Sequence, residues 1–220
     1  MFPYVVHAKS IVQARGKAVN LIMNQGKIKR DERGEKVKYL KHVIIVIPCD
    51  CCEDSEELFS YLCGFAFGKN LITGEPVCFG ECVGSKKQEP DYTYGQELHK
   101  NNGLEETIQK LKQFPNSRRV VNPLFKTEHY GKDEVPCMIT LVWDIEDVED
   151  EDCLNLTIFG RSNEAAIAMK NDIKGFSYLL EYVAFRIGVK PGLILLHDVN
   201  LHCRINSDMD EIKRILKEGY

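Results

Sequence analysis

Apolar residues recur at helical spacing between residues 8 and 25, at Ile11, Val12, Ala14, Val19, Leu21 and Ile22, and predict a helix there. Lys27 to Lys38 is polar and turn-like around Asp31-Glu32-Arg33-Gly34. The unbroken run Val43-Ile44-Ile45-Val46-Ile47, ended by Pro48, fits a strand buried on both faces. Residues 54–64 read as a helix with Leu58, Phe59, Tyr61 and Leu62 inward, and the Gly- and Pro-rich stretch 70–96 reads as a long loop. Helix returns over 104–114 and stops at Pro115-Asn116-Ser117; a strand begins at Val120-Val121. Pro136 to Trp143 and Leu154 to Phe159 are two further strands. Between them lie Glu146-Asp147-Val148-Glu149-Asp150-Glu151-Asp152, whose like charges suit a solvated hairpin loop better than a metal site. The clearest helix covers 173–187, with Ile173, Phe176, Leu179, Leu180, Val183, Ala184 and Ile187 on one face. Leu193 to Leu196 is a buried strand, and Ser207 with Asp210 resembles a capping box opening the last helix. Strands and helices mix without strict alternation, which indicates an α+β or mixed-sheet α/β fold in a single domain spanning 1–220.

Composition narrows the class. A chain of 220 residues buries about 70% of the surface its unfolded form exposes, so its core needs no covalent staples. Its nine cysteines are therefore not expected to form a disulfide framework. No secretory leader and no apolar stretch of membrane-spanning length is recognisable; the expectation is a cytoplasmic protein with reduced thiols and no membrane partner. The net charge of −4 argues against a nucleic-acid binder, which carries a basic surplus, but leaves room for a small anion held by a few arginines.

Four local patterns carry chemistry. Val135-Pro136-Cys137-Met138 puts a cysteine at a strand start; a lone cysteine is by default a small buried hydrophobe. Gly160-Arg161-Ser162 follows the next strand, and an Arg-Ser pair there can fork onto a phosphate or be a solvated strand end. Ser117-Arg118-Arg119 sets two arginines after a turn, by default a surface pair. Leu196-His197-Asp198-Val199-Asn200-Leu201-His202 alternates polar groups along an extended segment, as a half-exposed strand would.

Taken in order, these patterns resemble the thymidylate synthase and deoxycytidylate hydroxymethylase family over about residues 31–205, and in length most resemble the short archaeal-type thymidylate synthases. The matching stretches are Glu57-Leu58-Phe59-Ser60-Tyr61-Leu62-Cys63-Gly64, Tyr94-Gly95, Leu111 through Ser117-Arg118-Arg119, Pro136-Cys137, and Arg161-Ser162-Asn163-Glu164 through Asp172-Ile173. The resemblance implies a thymidylate synthase-like mixed β-sheet packed with helices. It also implies dTMP formation from dUMP. Cys137 as thiolate would add to C6 of the pyrimidine and make C5 nucleophilic toward a one-carbon unit. The donor would be methylene-tetrahydrofolate or a modified pterin such as methylene-tetrahydromethanopterin. Glu57 would relay protons through water and Tyr94 would stand beside the thiol. Arg161 and Ser162 would hold the nucleotide phosphate, joined by Arg118 and Arg119 from the second subunit of a homodimer; Arg33 is a looser match for a further phosphate arginine. A free thiol has a pKa of about 8.5, and Arg161 is the cation expected to lower it.

The departures shape the expectation. Met138 follows the cysteine where the family often has His. The sugar-contacting D-x-H-x-Y reads Asp198-Val199-Asn200-Leu201-His202, so Asn200 and His202 are the candidates for the 3′-hydroxyl. Glu164 replaces the folate-contacting aspartate, and the ending Lys217-Glu218-Gly219-Tyr220 lacks the family's apolar tail. Asp172 stands where thymidylate synthases carry Asn. An ionised Asp offers only acceptors, which suits the exocyclic amine of cytosine. A helix N-cap is the structural alternative for Asp172, and Asn171 would take the base-reading role if the register slipped by one. Three readings remain open: a thymidylate synthase, a dCMP hydroxymethylase, or a non-catalytic pyrimidine-nucleotide-binding protein. Cys49-Asp50-Cys51-Cys52, with Cys78 and Cys82, has a metal-binding look at a spacing that suits no standard zinc knuckle; no metal is expected. A thiol or metal protein built on that segment would leave the arginines unexplained.

Overall fold

The computed structural model describes residues 3–49 and 92–219. The expected helix 54–64, Glu57, and the cysteines at 51, 52, 78 and 82 lie outside the described residues. Among the described residues, eight strands form one mixed sheet. They are β1 (Tyr4–His7), β2 (Lys27–Arg30), β3 (Lys36–Pro48), β4 (Val121–Pro123), β5 (Met138–Val148), β6 (Glu151–Gly160), β7 (Asn163–Glu164) and β8 (Lys190–Arg204). The order across the sheet is β1-β3-β8-β6-β5-β4, with β2 hydrogen-bonded to β3 and β7 to β8. β1 runs parallel to β3 and β6 parallel to β8, while β3 and β8 are antiparallel.

Both parallel pairs are joined through a helix, α1 (Ile11–Gln25) for β1 to β3 and α4 (Ala168–Ile187) for β6 to β8. Right-handed crossovers on antiparallel halves of one sheet put both helices on the same face, and α1 does pack against α4. Small residues make the contact close: Ala14, Ala18 and Ala184 are fully buried beside Val19, Ile22, Leu180 and Val183. Ser10 caps α1 by accepting the Gln13 N–H at 3.1 Å. The partly buried Arg15 side chain donates to the Ala166 carbonyl at 2.8 Å through Nε and pairs with Glu211. That ties α1 to the start of α4 and to α5 (Met209–Glu218). The helices α2 (Tyr94–His99) and α3 (Gly103–Gln113) flank the β4 edge. No helix among the described residues is long and apolar enough to cross a membrane.

The mixed α/β class is as the sequence indicates, and several boundaries differ. The acidic stretch is strand rather than loop: β5 and β6 run on to Val148 and Glu151, joined by a two-residue turn in which Glu149 and Asp150 have φ of 55° and 65°. Alternation along a strand separates neighbouring like charges onto opposite faces, and Asn155 Nδ2 bridges Asp144 and Glu146 at 3.4 and 3.3 Å. The stretch 94–96, expected in a loop, opens α2 with a capping box between Thr93 and Gln96. Ser207 and Asp210 make no cap; Asp208 occupies the N-cap position of α5, without a side-chain bond. The polar segment 27–38 is a hairpin, with only 31–35 in the turn.

Candidate functional site

The C-terminal end of β6, the start of β5 and the C-terminal half of β8 meet at one cleft, lined among others by Cys137, Arg161, Ser162, Asn200 and His202. Arg161 is locked to the loop before β5. Its backbone N–H donates to the Cys137 carbonyl at 2.9 Å, Nε to the Pro136 carbonyl at 3.1 Å and Nη2 to the Val135 carbonyl at 2.9 Å. The same Nη2 lies 3.8 Å from Cys137 Sγ. Ser162 Oγ donates to the Asn200 carbonyl at 3.3 Å and stands 3.4 Å from His202 Nδ1. Asn200 Oδ1 is buried without a hydrogen-bond partner among the described residues. Burial lowers the His202 pKa, so its ring is neutral at neutral pH.

The electrostatics of the thiol differ from expectation. Burial raises the Cys137 pKa above its ordinary value, and the Arg161 guanidinium offsets only part of that. Desolvation of a thiolate outweighs one cation at this distance, since that cation is itself partly hydrated and already shared with two carbonyls. The tyrosine in contact with Cys137 is Tyr92, whose hydroxyl accepts the Cys137 N–H at 3.3 Å. Tyr94 is one step further in, its ring tilted against Phe176 of α4 at 5.2 Å and 5.8 Å from the Tyr92 ring. Both phenols are pushed up, chiefly by burial.

Asp172 is not a cap. It is the fifth residue of α4 and is buried. The helix start is held by Glu164, whose Oε1 accepts the Ala166 N–H at 2.8 Å and whose Oε2 accepts those of Ile167 and Ala168 at 2.6 and 3.2 Å. A carboxylate at this position also complements the positive end of the helix. Glu164, only 5% exposed, thus uses both oxygens on the backbone of the helix start. Asp172 instead lies within electrostatic reach of Cys137, Tyr92 and Tyr94; burial pushes its carboxyl up to about 7.

Asp198 was legible only as part of a motif. It sits in the middle of β8 with no exposed surface. Neither carboxyl oxygen makes a well-formed hydrogen bond among the described residues. Burial first and the neighbouring Asp172 second push it up to about 8, against a weaker pull from Asn163. Room for it comes from Gly160, where a Cβ would lie 2.2 Å from Asp198 Oδ1 and 3.1 Å from Met138 Sδ.

Arg118 and Arg119 do not join this cleft. Both follow α3, line a separate hollow with Phe114 and Pro115, and are largely solvated. Arg33 lies at the cleft mouth, paired with Glu134. Lys29, Lys41 and Arg204 add positive charge to the same walls, a contribution that no sequence motif marks.

A family model described as thymidylate synthase matches residues 76–218. A provisionally named thymidylate synthase of Methanosarcina mazei is 33% identical over 97% of this chain and 94% of its own length. One of Methanocaldococcus jannaschii, also provisionally named, is 29% identical over 95% and 94%. A thymidylate synthase of Streptococcus mutans is 28% identical over 50% of this chain and 40% of its own length. The chain belongs to the thymidylate synthase family.

Proposed function

We infer that the chain is a thymidylate synthase-like methyltransferase that forms dTMP from dUMP, with Cys137 as its nucleophile. The observation that carries this reading is one cleft lined by Cys137, a guanidinium 3.8 Å from its sulfur, and the polar groups of Ser162, Asn200 and His202. In this reading Arg161 and Ser162 take the phosphate, where charge-assisted bonds are stronger than neutral ones. Asn200 and His202 take the sugar hydroxyl, and Asp172 meets the base edge. Cys137 adds to C6, the electron pair moves to C5, and C5 becomes able to exchange its proton. Because burial holds the thiol protonated at rest, the thiolate must be generated once the nucleotide is in place. Tyr92, against the Cys137 backbone, and Tyr94 behind it order this step, and Glu57 is assigned the water-mediated proton relay by family resemblance alone.

Methylene-tetrahydrofolate, or a modified pterin such as methylene-tetrahydromethanopterin, supplies the one-carbon unit in this reading. Glu164 is committed to the α4 backbone, so no contact with that donor is assigned to it. Arg118 and Arg119 lie away from the cleft, which supports a homodimer in which each subunit lends them to the other; sedimentation should give twice the chain mass.

The test is tritium release from C5 of labelled dUMP and dCMP, measured separately without a one-carbon donor. Release from dUMP that vanishes in Cys137→Ala supports the reading, and release only from dCMP moves the protein to the hydroxymethylase branch. Tight nucleotide binding with no release from either base would leave a non-catalytic binding protein.

A further inference from the structure

Cys137 is held through three of its groups by two residues far apart in the chain. Its backbone N–H donates to the Tyr92 hydroxyl oxygen at 3.3 Å, its carbonyl accepts the Arg161 N–H at 2.9 Å, and its sulfur lies 3.8 Å from Arg161 Nη2. Tyr92 stands immediately before Thr93, whose capping box fixes the start of α2, so the phenol is presented from a pinned backbone. Its ring leans on that of Tyr94 at 5.8 Å, and Tyr94 rests in turn on Phe176 of α4 at 5.2 Å. We propose that Tyr92 is a second donor to the Cys137 thiolate: its oxygen accepts the Cys137 N–H, its proton is directed to Sγ, and the anion forms in a cradle completed by Arg161.

The argument starts from what a phenol can exchange. A hydroxyl has one proton to give and lone pairs with which to accept. The Tyr92 oxygen is engaged by the Cys137 N–H, so the proton needs an acceptor of its own, and the sulfur of the same residue carries lone pairs to take it. The hydroxyl and the Cys137 side chain are hydrogen-bond partners. Ring packing alone does not call for a hydroxyl here, since a phenylalanine would make the same contact with Tyr94. Tyr94 is engaged differently. It is buried, and its hydroxyl is bonded to the backbone of Met138, the residue after the thiol. The two phenols thus take the backbone of two successive residues at the start of β5, and Tyr92 is the one on the nucleophile.

A donor is also what this thiol needs. Burial pushes the Cys137 thiol up. Of its charged and polar neighbours, Arg161 after β6 pulls it down, Asp172 of α4 pushes it up, Tyr92 pulls it down and Asp198 of β8 pushes it up, in falling order of effect. The two groups in that set that favour the thiolate are the two that hydrogen-bond Cys137, as expected where a bond to the charged form opposes desolvation. Tyr92 and Tyr94 are themselves pushed up by burial, so both phenols keep their protons at neutral pH. The proton lost by the thiol leaves to water, and Tyr92 transfers none.

The proposal deepens the reading of Cys137 as nucleophile and rests on it, and the two can fail separately. The measurements are the pH midpoint of Cys137 alkylation by iodoacetamide without nucleotide, followed on the Cys137 peptide by mass, and C5 exchange on dUMP. Both are made on wild type, Tyr92→Phe and Tyr94→Phe. Tyr92→Phe removes one oxygen and no ring contact, so the chain still folds. Its alkylation midpoint should rise by about one unit, as the loss of one hydrogen bond to a charged group implies. Its C5 exchange should fall several-fold near neutral pH and return toward wild type once the pH passes the new midpoint, where thiolate forms without that donor. Its dUMP affinity should be unchanged, and Tyr94→Phe should leave the midpoint in place. An unmoved midpoint in Tyr92→Phe, or exchange that stays low at every pH, would overturn the proposal and leave Tyr92 as a backbone partner of the 135–137 loop. A shift in Tyr94→Phe as large as that in Tyr92→Phe would overturn the assignment of the donor to Tyr92. A raised midpoint in Tyr92→Phe, with no exchange by the wild type on any pyrimidine nucleotide, would keep the thiolate cradle and overturn the nucleotide reading instead.

Discussion

Two buried polar clusters flank the same sheet and are built in opposite ways. At the β4 edge, Asn122 is 6% exposed and its side chain is fully engaged. Its Oδ1 accepts the Trp143 Nε1–H at 2.7 Å and the Thr107 hydroxyl at 3.1 Å, and its Nδ2 donates to the Gly103 carbonyl at 3.2 Å. Near the cleft, the Asp198 carboxyl beside Gly160 and the Oδ1 of Asn200 are as deeply buried and make no such bonds among the described residues. Native proteins satisfy most of their buried polar groups because an orphaned one costs roughly 1–3 kcal/mol. The Asn122 cluster follows that rule and fixes α3 to the sheet. The cleft cluster breaks it, and the groups left unsatisfied lie beside the thiol and the arginine that the proposed chemistry uses. A satisfied network specifies structure; an unsatisfied one holds its capacity for a ligand.

The sharpest way to break this comparison is to cut each cluster at its centre. Cys137→Ala should abolish C5 exchange, while its unfolding free energy in urea stays within about 0.5 kcal/mol of wild type because little packing is lost. Asn122→Leu should do the reverse. It leaves the Trp143 N–H and the Thr107 hydroxyl without their shared acceptor, and should cost about 3 kcal/mol in urea unfolding, with nucleotide affinity of the folded fraction unchanged. A Cys137→Ala protein that unfolds as readily as Asn122→Leu would make the cleft a structural cluster after all.

Arg161 bridges the two descriptions, since it both pins the 135–137 loop and approaches the sulfur. Arg161→Ala should weaken nucleotide binding at least roughly tenfold, given about 1.5–3 kcal/mol for a bond to a charged group. It should also move the pH midpoint of Cys137 alkylation by iodoacetamide upward, because the Arg161 charge that opposes burial is removed. An unmoved alkylation profile would detach Arg161 from the thiol, whatever the binding result.

The described fold was legible where hydrophobic pattern alone decides. α1, α3 and the long α4 follow their apolar stripes, and β3 and β8 contain the runs at 43–47 and 193–196. It was illegible where charge had to be weighed against register, as in the acidic β5–β6 hairpin, whose cross-strand pairing keeps exposed carboxylates on a strand. The helix boundary near Asp172 failed for a related reason. Ala168, Met169, Lys170 and Asn171 carry no start signal of their own, and the cap came from Glu164, four residues before the helix. That one displacement takes the capping alternative away from Asp172, which lies inside the helix, and gives the capping work to Glu164. Cys137, Arg161, Ser162, Asn200 and His202 were named from motifs and do line one cleft. Tyr92 depends on a contact across the fold, which no local spacing encodes.

The smallest expected effect tests whether the cleft carboxyls cost stability, as the comparison requires. Asp198 has an unfolded pKa of about 3.9 and a folded value pushed up to about 8. Between those values the folded chain holds a proton that the unfolded chain has released, so this group's contribution to stability falls as pH rises from about 4 to 8 and is flat above. Asp198→Asn removes that titration without changing side-chain volume. Urea unfolding of both proteins at pH 5 and pH 8 should therefore show the Asn variant gaining on wild type at the higher pH. His202, which burial shifts in the opposite direction, is present in both proteins and cancels in the difference. Asn122→Leu, measured in the same pair of buffers, should show a deficit that does not change with pH, since no titrating group belongs to its network. A stability difference between Asp198→Asn and wild type that is equal at the two pH values would mean that the buried carboxyl is already compensated in the folded chain. The contrast between a satisfied edge and an unsatisfied cleft would then fail at its most deeply buried residue.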